Sequence, residues 1–398
     1  MVLNEFPLWF LRLFAVGFGL IWGSFLNVVV YRVPREMSVA RPASHCPACK
    51  APVQPYDNIP VLSYLILRGR ARCCGARMSP RYVFVELIGG AISLAILEAM
   101  IRPLSPTTPI EHAVAVYLAY FMVSLGLVAA AFIDLEHMYI PDTISIGGAL
   151  LGVVTATIRG DSLTTSVLGG AIAVNVLWLP LNSVYRVLRG RTGMGWGDGK
   201  LLVLFGTFAG WQGAIFSLFA AAFMAVLFTV ALELSGRTLK LPAAVREELD
   251  QLRAAAEAGD KEAAQILSED PLAGDSADGA FRQPLAFGAV FVVLLGLLTK
   301  WRTPSFRIVA GLFVLTLVFV GIGKVLKKPL RPLDEAESSS EGQTEEEKAT
   351  SEIPDRDEEP VMQRSLPLGP FLILGFLAYI FGMNKVLIGY IGLSLPMF

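Results

Sequence analysis

The chain has 398 residues, 54% of them hydrophobic and only 17% charged, with a mean hydropathy of +0.58. The apolar residues gather in repeated runs, which excludes a pair of ordinary soluble domains and points to a multi-spanning α-helical membrane protein. With 33 Lys and Arg against 34 Asp and Glu there is no global basic field for nucleic acid, and 4 cysteines are too few for a disulfide scaffold.

The first apolar run, about Phe6 to Tyr31, is long enough to cross a bilayer. Its apolar stretch is too long for a cleaved signal peptide, and no small-x-small cleavage site precedes a polar domain. Hydropathy predicts further spans at about 83–101, 113–133, 141–158, 164–185, 199–209, 211–233, 285–299, 304–323 and 367–383, with 199–209 short enough to be a kinked or half span. The expected fold is therefore all-α and polytopic: a bundle of about 8 core transmembrane helices, with about 2 more in an insertion. Five regions follow: a first span (1–32), a cysteine-containing segment (33–82), a transmembrane core (83–235), a polar insertion with two spans (236–362), and a last core span with its tail (363–398).

Basic residues set the expected orientation. The segment after the first span carries Arg32, Arg35, Arg41, Lys50, Arg68, Arg70, Arg72, Arg77 and Arg81, opposed only by Glu36 and Asp57. By the positive-inside rule this segment is cytoplasmic and the N-terminus outside. Within the insertion, an amphipathic helix is expected from Ala243 to Leu267, and residues 326–364 read as an acidic, solvated linker.

Ionisable groups beside apolar spans are costly and therefore informative. One such stretch is Ile133-Asp134-Leu135-Glu136-His137-Met138-Tyr139-Ile140-Pro141-Asp142; another is Gly193-Met194-Gly195-Trp196-Gly197-Asp198-Gly199-Lys200. The topology puts Asp134 and Asp198 on the cytoplasmic face. Two carboxylates held close in a low-dielectric site share a proton, so one serves as general base and the other as general acid. That pairing activates water against a peptide carbonyl. The glycines around Asp198 remove Cβ bulk and allow a sharp turn. The competing reading makes Asp142 and Asp198 ordinary helix-start carboxylates favoured by the helix dipole, with Glu136 and Asp161 as loop charges.

The cysteines form a second constellation, Cys46-Pro47-Ala48-Cys49 and Cys73-Cys74. Cys-x-x-Cys on a proline-containing turn is half of a zinc knuckle, and His45 offers a substitute ligand. The adjacent pair is an irregular second half, because neighbouring side chains point apart. The alternative is a loop of free thiols.

Taken together, GSFLNVVVYRVPR (23–35), CPAC (46–49), NIPVLSYLILRGR (58–70), CGARMSPRY (74–82), VELIGG (85–90), IDLEHMYIPD (133–142), GMGWGDGKL (193–201) and LPLGPFLILG (366–375) resemble the bacterial type IV prepilin peptidases. These are leader peptidase/N-methyltransferases of the GxGD aspartyl protease class. The resemblance implies cleavage of the basic leader of prepilins or type II secretion pseudopilins at the cytoplasmic face of the bacterial inner membrane. It further implies N-methylation of the new terminus from S-adenosylmethionine. It carries the catalytic pair onto Asp134 and Asp198, the supporting glycines onto Gly195 and Gly197, a methyl-transfer association onto Glu86 and Gly90, and a zinc tetrad onto Cys46, Cys49, Cys73 and Cys74. The implied partners are the pilin substrates and membrane lipid, without nucleic acid. The chain departs from the pattern at Ala71, where a second Cys-x-x-Cys would begin, at Val83 in place of proline, and in the insertion 236–362. A peptidase without transferase activity and a non-enzymatic assembly scaffold are the alternatives.

Overall fold

The computed structural model describes residues 1–46, 48–189, 193–235, 242–258, 293 and 367–383. The expected spans at 285–299 and 304–323 (apart from residue 293), the acidic linker and the apolar tail lie outside the described residues. Those described are mostly helical, with no strand among them; β pairing occurs only as isolated bridges.

Proline and left-handed residues punctuate the helices. The first, α1 (Leu8–Arg32), starts after Pro7 and ends in a 3-10 turn closed by Glu36 at φ 53°. After a short α2 (Leu62–Ile66), α3 (Arg81–Ile96) starts at Pro80 and runs on through a π-helical turn to Ile101. The next two, α4 (Ile110–His137) and α5 (Asp142–Val154), follow Pro109 and Pro141. A proline at a helix start sacrifices no hydrogen bond, because the first N–H groups have no partner within the helix. Met138, at φ 55°, stops α4.

The segment after α5 is α6 (Leu163–Ile172), a π-helical stretch (Ala173–Trp178) and α7 (Leu179–Arg189). The long α8 (Trp196–Leu234) breaks at Gly210, whose φ of 66° and ψ of 179° are not helical. This is the glycine that separates the two expected spans 199–209 and 211–233. After α8 comes α9 (Ala243–Glu257), with the part of the expected 243–267 helix beyond residue 258 outside the described residues, and α10 (Gly369–Ala378) closes the described chain with a π-helical end.

Five helical stretches are long and apolar enough to cross a membrane: Leu8–Arg35, Arg81–Ile101, Ile110–His137, Leu163–Tyr185 and Trp196–Leu232. Asp142–Val154 and Gly369–Gly382 are apolar but shorter. This is the pattern of a multi-pass membrane protein. Only 5 described helices meet the length criterion, against the expected 8 or so, because a 13-residue α5 rises only about 20 Å and α8 is one interrupted helix.

Where apolar lipid offers little hydrophobic drive, helices associate through close packing of small residues. Gly19 and Gly23 of α1 face α3 so closely that a Cβ on Gly23 would lie 2.8 Å from the Glu86 Cα, and one on Gly89 2.8 Å from the Gly23 Cα. Gly169 of α6 and Gly206 of α8 likewise meet backbone to backbone. Aromatic contacts tie the remaining helices. Phe18 packs on Phe121 with ring centroids 5.0 Å apart, and Phe205 stacks on Phe376 at 4.3 Å, joining α10 to α8.

The two ends of the bundle are distinguishable. At one, the N-terminal residues pair with the loop before α4: Leu3 N–H donates to Thr108 O at 3.0 Å and Asn4 N–H to Pro106 O at 3.2 Å. At the other, Arg81 at the start of α3 forms an ion pair with Glu136 at the end of α4. Glu136, expected to be a loop charge, is thus a helix-end partner.

Candidate active site

Three chain-distant segments meet at the end of the bundle where Arg81 pairs with Glu136. The last turn of α4 presents Asp134, the start of α8 presents Asp198, and the start of α10 presents Gly369. Asp134 is buried at 6% exposure, with its carboxyl against Gly369, where a Cβ would lie 2.5 Å from Asp134 Oδ2. Asp198 is half-buried and its carboxyl lies beside Gly195, where a Cβ would stand 3.6 Å from Asp198 Oδ2. The two carboxyl groups lie within direct electrostatic reach of each other.

Ile140 packs against a glycine from each of two of these segments. A Cβ on Gly197 would approach Ile140 Cβ at 3.4 Å, and one on Gly369 would lie 3.1 Å from Ile140 Cδ1. The floor of the site is thus one isoleucine flanked by two glycines. Asp142 opens α5 as expected of a helix-start carboxylate, and it also forms an ion pair with Lys200. Lys200 is itself buried and sits 5.6 Å above the Trp196 ring.

The loop that carries Asp198 is held from α7 and the π-helical turn before it. The fully buried Asn182 accepts N–H bonds from Gly193 at 3.0 Å and Met194 at 2.9 Å. Trp178 donates its indole N–H to Gly195 O at 3.1 Å and packs edge-on against Trp196. None of Gly193, Gly195, Gly197 and Gly199 has a left-handed φ, although the chain bends at Gly193 and Met194. Their requirement is space. A Cβ on Gly193 would lie 2.8 Å from Tyr185 Cγ, and one on Gly199 2.8 Å from Trp178 Cδ1, whereas Gly195 is exposed with only Asp198 Oδ2 near it at 3.6 Å.

Sequence reasoning missed Asn182, Trp178, Ile140, Lys200 and Gly369 as parts of this site. Asn182, a buried amide in an apolar run, was the visible signal. Gly369 lies in the LPLGPFLILG stretch, but 235 positions from Asp134, so the pattern does not say that the two meet.

The cysteine segment is built from two small turns. Cys46 N–H donates to Ala51 O at 2.8 Å and Lys50 N–H to Cys46 O at 2.9 Å; in the second turn Ala71 and Ala76 pair at 2.8 Å, with Gly75 at φ 71°. All four sulfurs lie within 4.8 Å of one another, with Cys49–Cys73 at 3.3 Å, Cys46–Cys74 at 3.8 Å and Cys73–Cys74 at 3.9 Å. A tetrahedral zinc with Zn–S bonds of about 2.3 Å requires S···S edges of roughly 3.8 Å. The donor set fits. The left-handed Gly75 tightens the turn enough for both neighbouring thiols to face Cys46 and Cys49, contrary to the expected divergence. His45 stands outside the cluster, with Nδ1 3.3 Å from Ala43 O.

Backbone N–H groups of Cys49 and Ala48 lower the Cys46 thiol to about 6. The Cys73 thiol is pushed up to about 12 by its hydrogen bond with Cys49 and by burial. Cys74 is raised despite the Ala76 N–H, which favours its thiolate, because burial and the neighbouring thiols of Cys46 and Cys49 hold its proton. One thiolate framed by protonated thiols is a set that releases protons when a cation enters. Arg72 braces the segment with a bidentate pair to Asp57, at 2.8 to 3.0 Å.

Glu86 is buried in α3 and accepts the Val61 N–H at 2.8 Å, holding Val61 at φ 63°. Its partner is a backbone amide, not one of the arginines. A Cβ on Gly90 would meet Leu20 Cδ2 at 3.1 Å, so that glycine serves the α1–α3 crossing.

Two family models match the chain: the Bacterial Peptidase A24 N-terminal domain over residues 18–100, and the Type IV leader peptidase family over 120–230. A prepilin leader peptidase/N-methyltransferase of Dichelobacter nodosus is 33% identical over 257 residues, spanning 56% of this chain and 84% of the relative. The protein of the same name from Klebsiella pneumoniae is 37% identical over 203 residues, spanning 49% of this chain and 83% of the relative. That from Myxococcus xanthus is 36% identical over 239 residues, spanning 59% and 68%. No solved structure matches the chain.

Proposed function

Since this chain belongs to the type IV leader peptidase family, we propose that it is a membrane-embedded prepilin leader peptidase and N-methyltransferase. The observation that carries the hydrolytic half is the meeting of Asp134 and Asp198 across a glycine-lined floor. In this reading one carboxylate takes a proton from water as it attacks the scissile carbonyl, and the other supplies a proton to the departing amine. No covalent intermediate is required. Exposed Gly195 gives an extended substrate backbone a side-chain-free approach to Asp198.

The substrates are prepilins, type II secretion pseudopilins, or both. Their apolar helices pack beside the enzyme within the lipid while the basic leaders remain in the cytosol. The site, the cysteine segment and the 193–198 loop face the cytoplasm, and the N-terminus faces the opposite side of the bacterial inner membrane. The arginine-rich 33–82 segment supports that orientation, as does the N-terminus pairing with the loop before α4 at the far end. If the two halves of α8 and the two shorter apolar helices are counted separately, the described residues supply the eight apolar segments of this architecture. The region boundaries 1–32, 33–82, 83–235, 236–362 and 363–398 belong to the same proposal; neither family model extends past residue 230.

The methyl donor is S-adenosylmethionine, which supplies the methyl group for the new N-terminal amine. Both residues associated with methyl transfer are on α3: Glu86 holds the Val61 backbone, and Gly90 lies one turn on, at the α1–α3 crossing. Zinc is a structural tie in this segment, held by Cys46, Cys49, Cys73 and Cys74.

The test is a product mass spectrum after purified protein, with and without S-adenosylmethionine, is incubated with a full-length prepilin in lipid. Loss of the leader plus one methyl group is expected. Cleavage without methylation leaves a peptidase alone; an intact substrate with folded, inserted protein leaves the assembly-scaffold alternative.

A further inference from the structure

Gly369 is a first-turn helix residue whose glycine character its backbone does not require, since its φ is not left-handed. Space explains it. A Cβ there would fall 2.5 Å from Asp134 Oδ2, 3.2 Å from Asp134 Cγ and 3.1 Å from Ile140 Cδ1. The first of these is closer than real Cβ atoms come to any neighbour. The helix cannot back away. Phe376 is stacked on Phe205 at 4.3 Å, and a Cβ on Gly375 would already lie 3.0 Å from Ser217 O of α8. Nor can the carboxyl move aside freely, because Asp134 and Ile140 are both buried.

The Gly369 backbone, in the N-terminal turn of α10, thus abuts the Asp134 carboxyl, where the helix dipole favours a negative charge. We infer that Gly369 is a positioning residue of the peptidase: its missing side chain is the room that the Asp134 carboxyl occupies, and its backbone is the wall that fixes the direction of that carboxyl. The inference rests on Asp134 being a catalytic carboxylate. It makes the N-terminus of α10 a wall of the active site, although α10 follows the whole insertion in the chain.

The experiment uses full-length protein in lipid nanodiscs and reads two quantities. The first is the Gly369 N–H resonance in 15N-glycine-labelled protein, identified by its absence from Gly369→Ala. Its shift should change more in Asp134→Ala than that of glycines remote from the site. The second is steady-state kinetics of Gly369→Ala. Leader cleavage should lose about 100-fold in kcat, the scale set by a misplacement of about 1 Å, with KM unchanged. Methyl transfer to an already cleaved pilin peptide should be unchanged. Wild-type kcat in Gly369→Ala would overturn the inference, as would an unmoved resonance in Asp134→Ala. So would equal loss of cleavage, methyl transfer and thermal stability, which would assign Gly369 to packing alone. If the wild type cleaves no prepilin, the proposed function fails, and the resonance still decides whether Gly369 holds Asp134.

Discussion

The side-chain oxygen of Asn182 accepts the Met194 N–H at 2.9 Å and the Gly193 N–H at 3.0 Å from a site with no solvent exposure. One buried amide on α7 therefore sets the entry of the loop that ends in Asp198. Its own Nδ2 donates to Trp178 O at 3.3 Å, so both halves of the amide are used. Replacing Asn182 by Ala leaves two loop N–H groups without their acceptor and frees the loop. Cleavage should fall by about 100-fold in kcat, while methyl transfer to a pre-cleaved peptide persists. Assaying both reactions in one preparation checks this.

Asp134→Asn and Asp198→Asn each preserve shape while removing the ability to exchange a proton at physiological pH. Each should lower leader cleavage by at least about 1,000-fold, within the range attributed to general acid–base groups. The matching measurement is cleavage rate at saturating substrate, with circular dichroism to confirm the helical fold. A variant with near wild-type rate would replace the two-carboxylate mechanism with a single-carboxylate one.

The four-cysteine cluster predicts about one zinc per chain in protein purified without chelator, measured by elemental analysis. Cys46→Ser combined with Cys49→Ser should abolish it. Stripping the metal should make residues 46–74 susceptible to limited proteolysis, because Arg72–Asp57 is then the main tie across the segment. Zinc uptake should also release protons, since Cys73 and Cys74 hold theirs above the ordinary thiol range. A protease-resistant, active protein without metal would count against a structural zinc.

Glu86 accepts one backbone bond and holds a strained turn at Val61, so its substitution separates anchoring from chemistry. Glu86→Gln retains an acceptor oxygen and should keep the segment in place. Glu86→Ala should lower methyl transfer by at least about 10-fold, the cost of one lost buried hydrogen bond, and leave leader cleavage unchanged. Parallel rate measurements on the two variants with a pre-cleaved peptide decide it. Equal loss in both would mean that the carboxylate charge itself is needed.

Gly169→Ala puts a methyl group into the Gly206 backbone at the α6–α8 crossing. Separation of the helices should cost about 1–3 kcal/mol and lower the thermal midpoint. Gly147→Ala, where a Cβ meets nothing within 4 Å, is the control and should leave the midpoint unchanged or raised. A differential thermal scan in detergent compares the two.

Sequence alone determined much of this protein. Apolar runs marked the helices, and the interruption between 199–209 and 211–233 marked the break that falls at Gly210 in α8. These features are local: helix starts, hydropathy and turn conformation depend on a few neighbouring residues. The two aspartate motifs and the paired cysteines were legible for the same reason, as short patterns. Which parts meet was decided by tertiary structure. Gly369 reaches Asp134 only because Phe376 and Gly375 seat α10 on α8; Asn182 holds the Asp198 loop only because a π-helical turn delivers it there; and Cys73 and Cys74 converge only because Gly75 closes their turn. Contacts across such separations arise from close packing between helices, and no window of sequence carries that information.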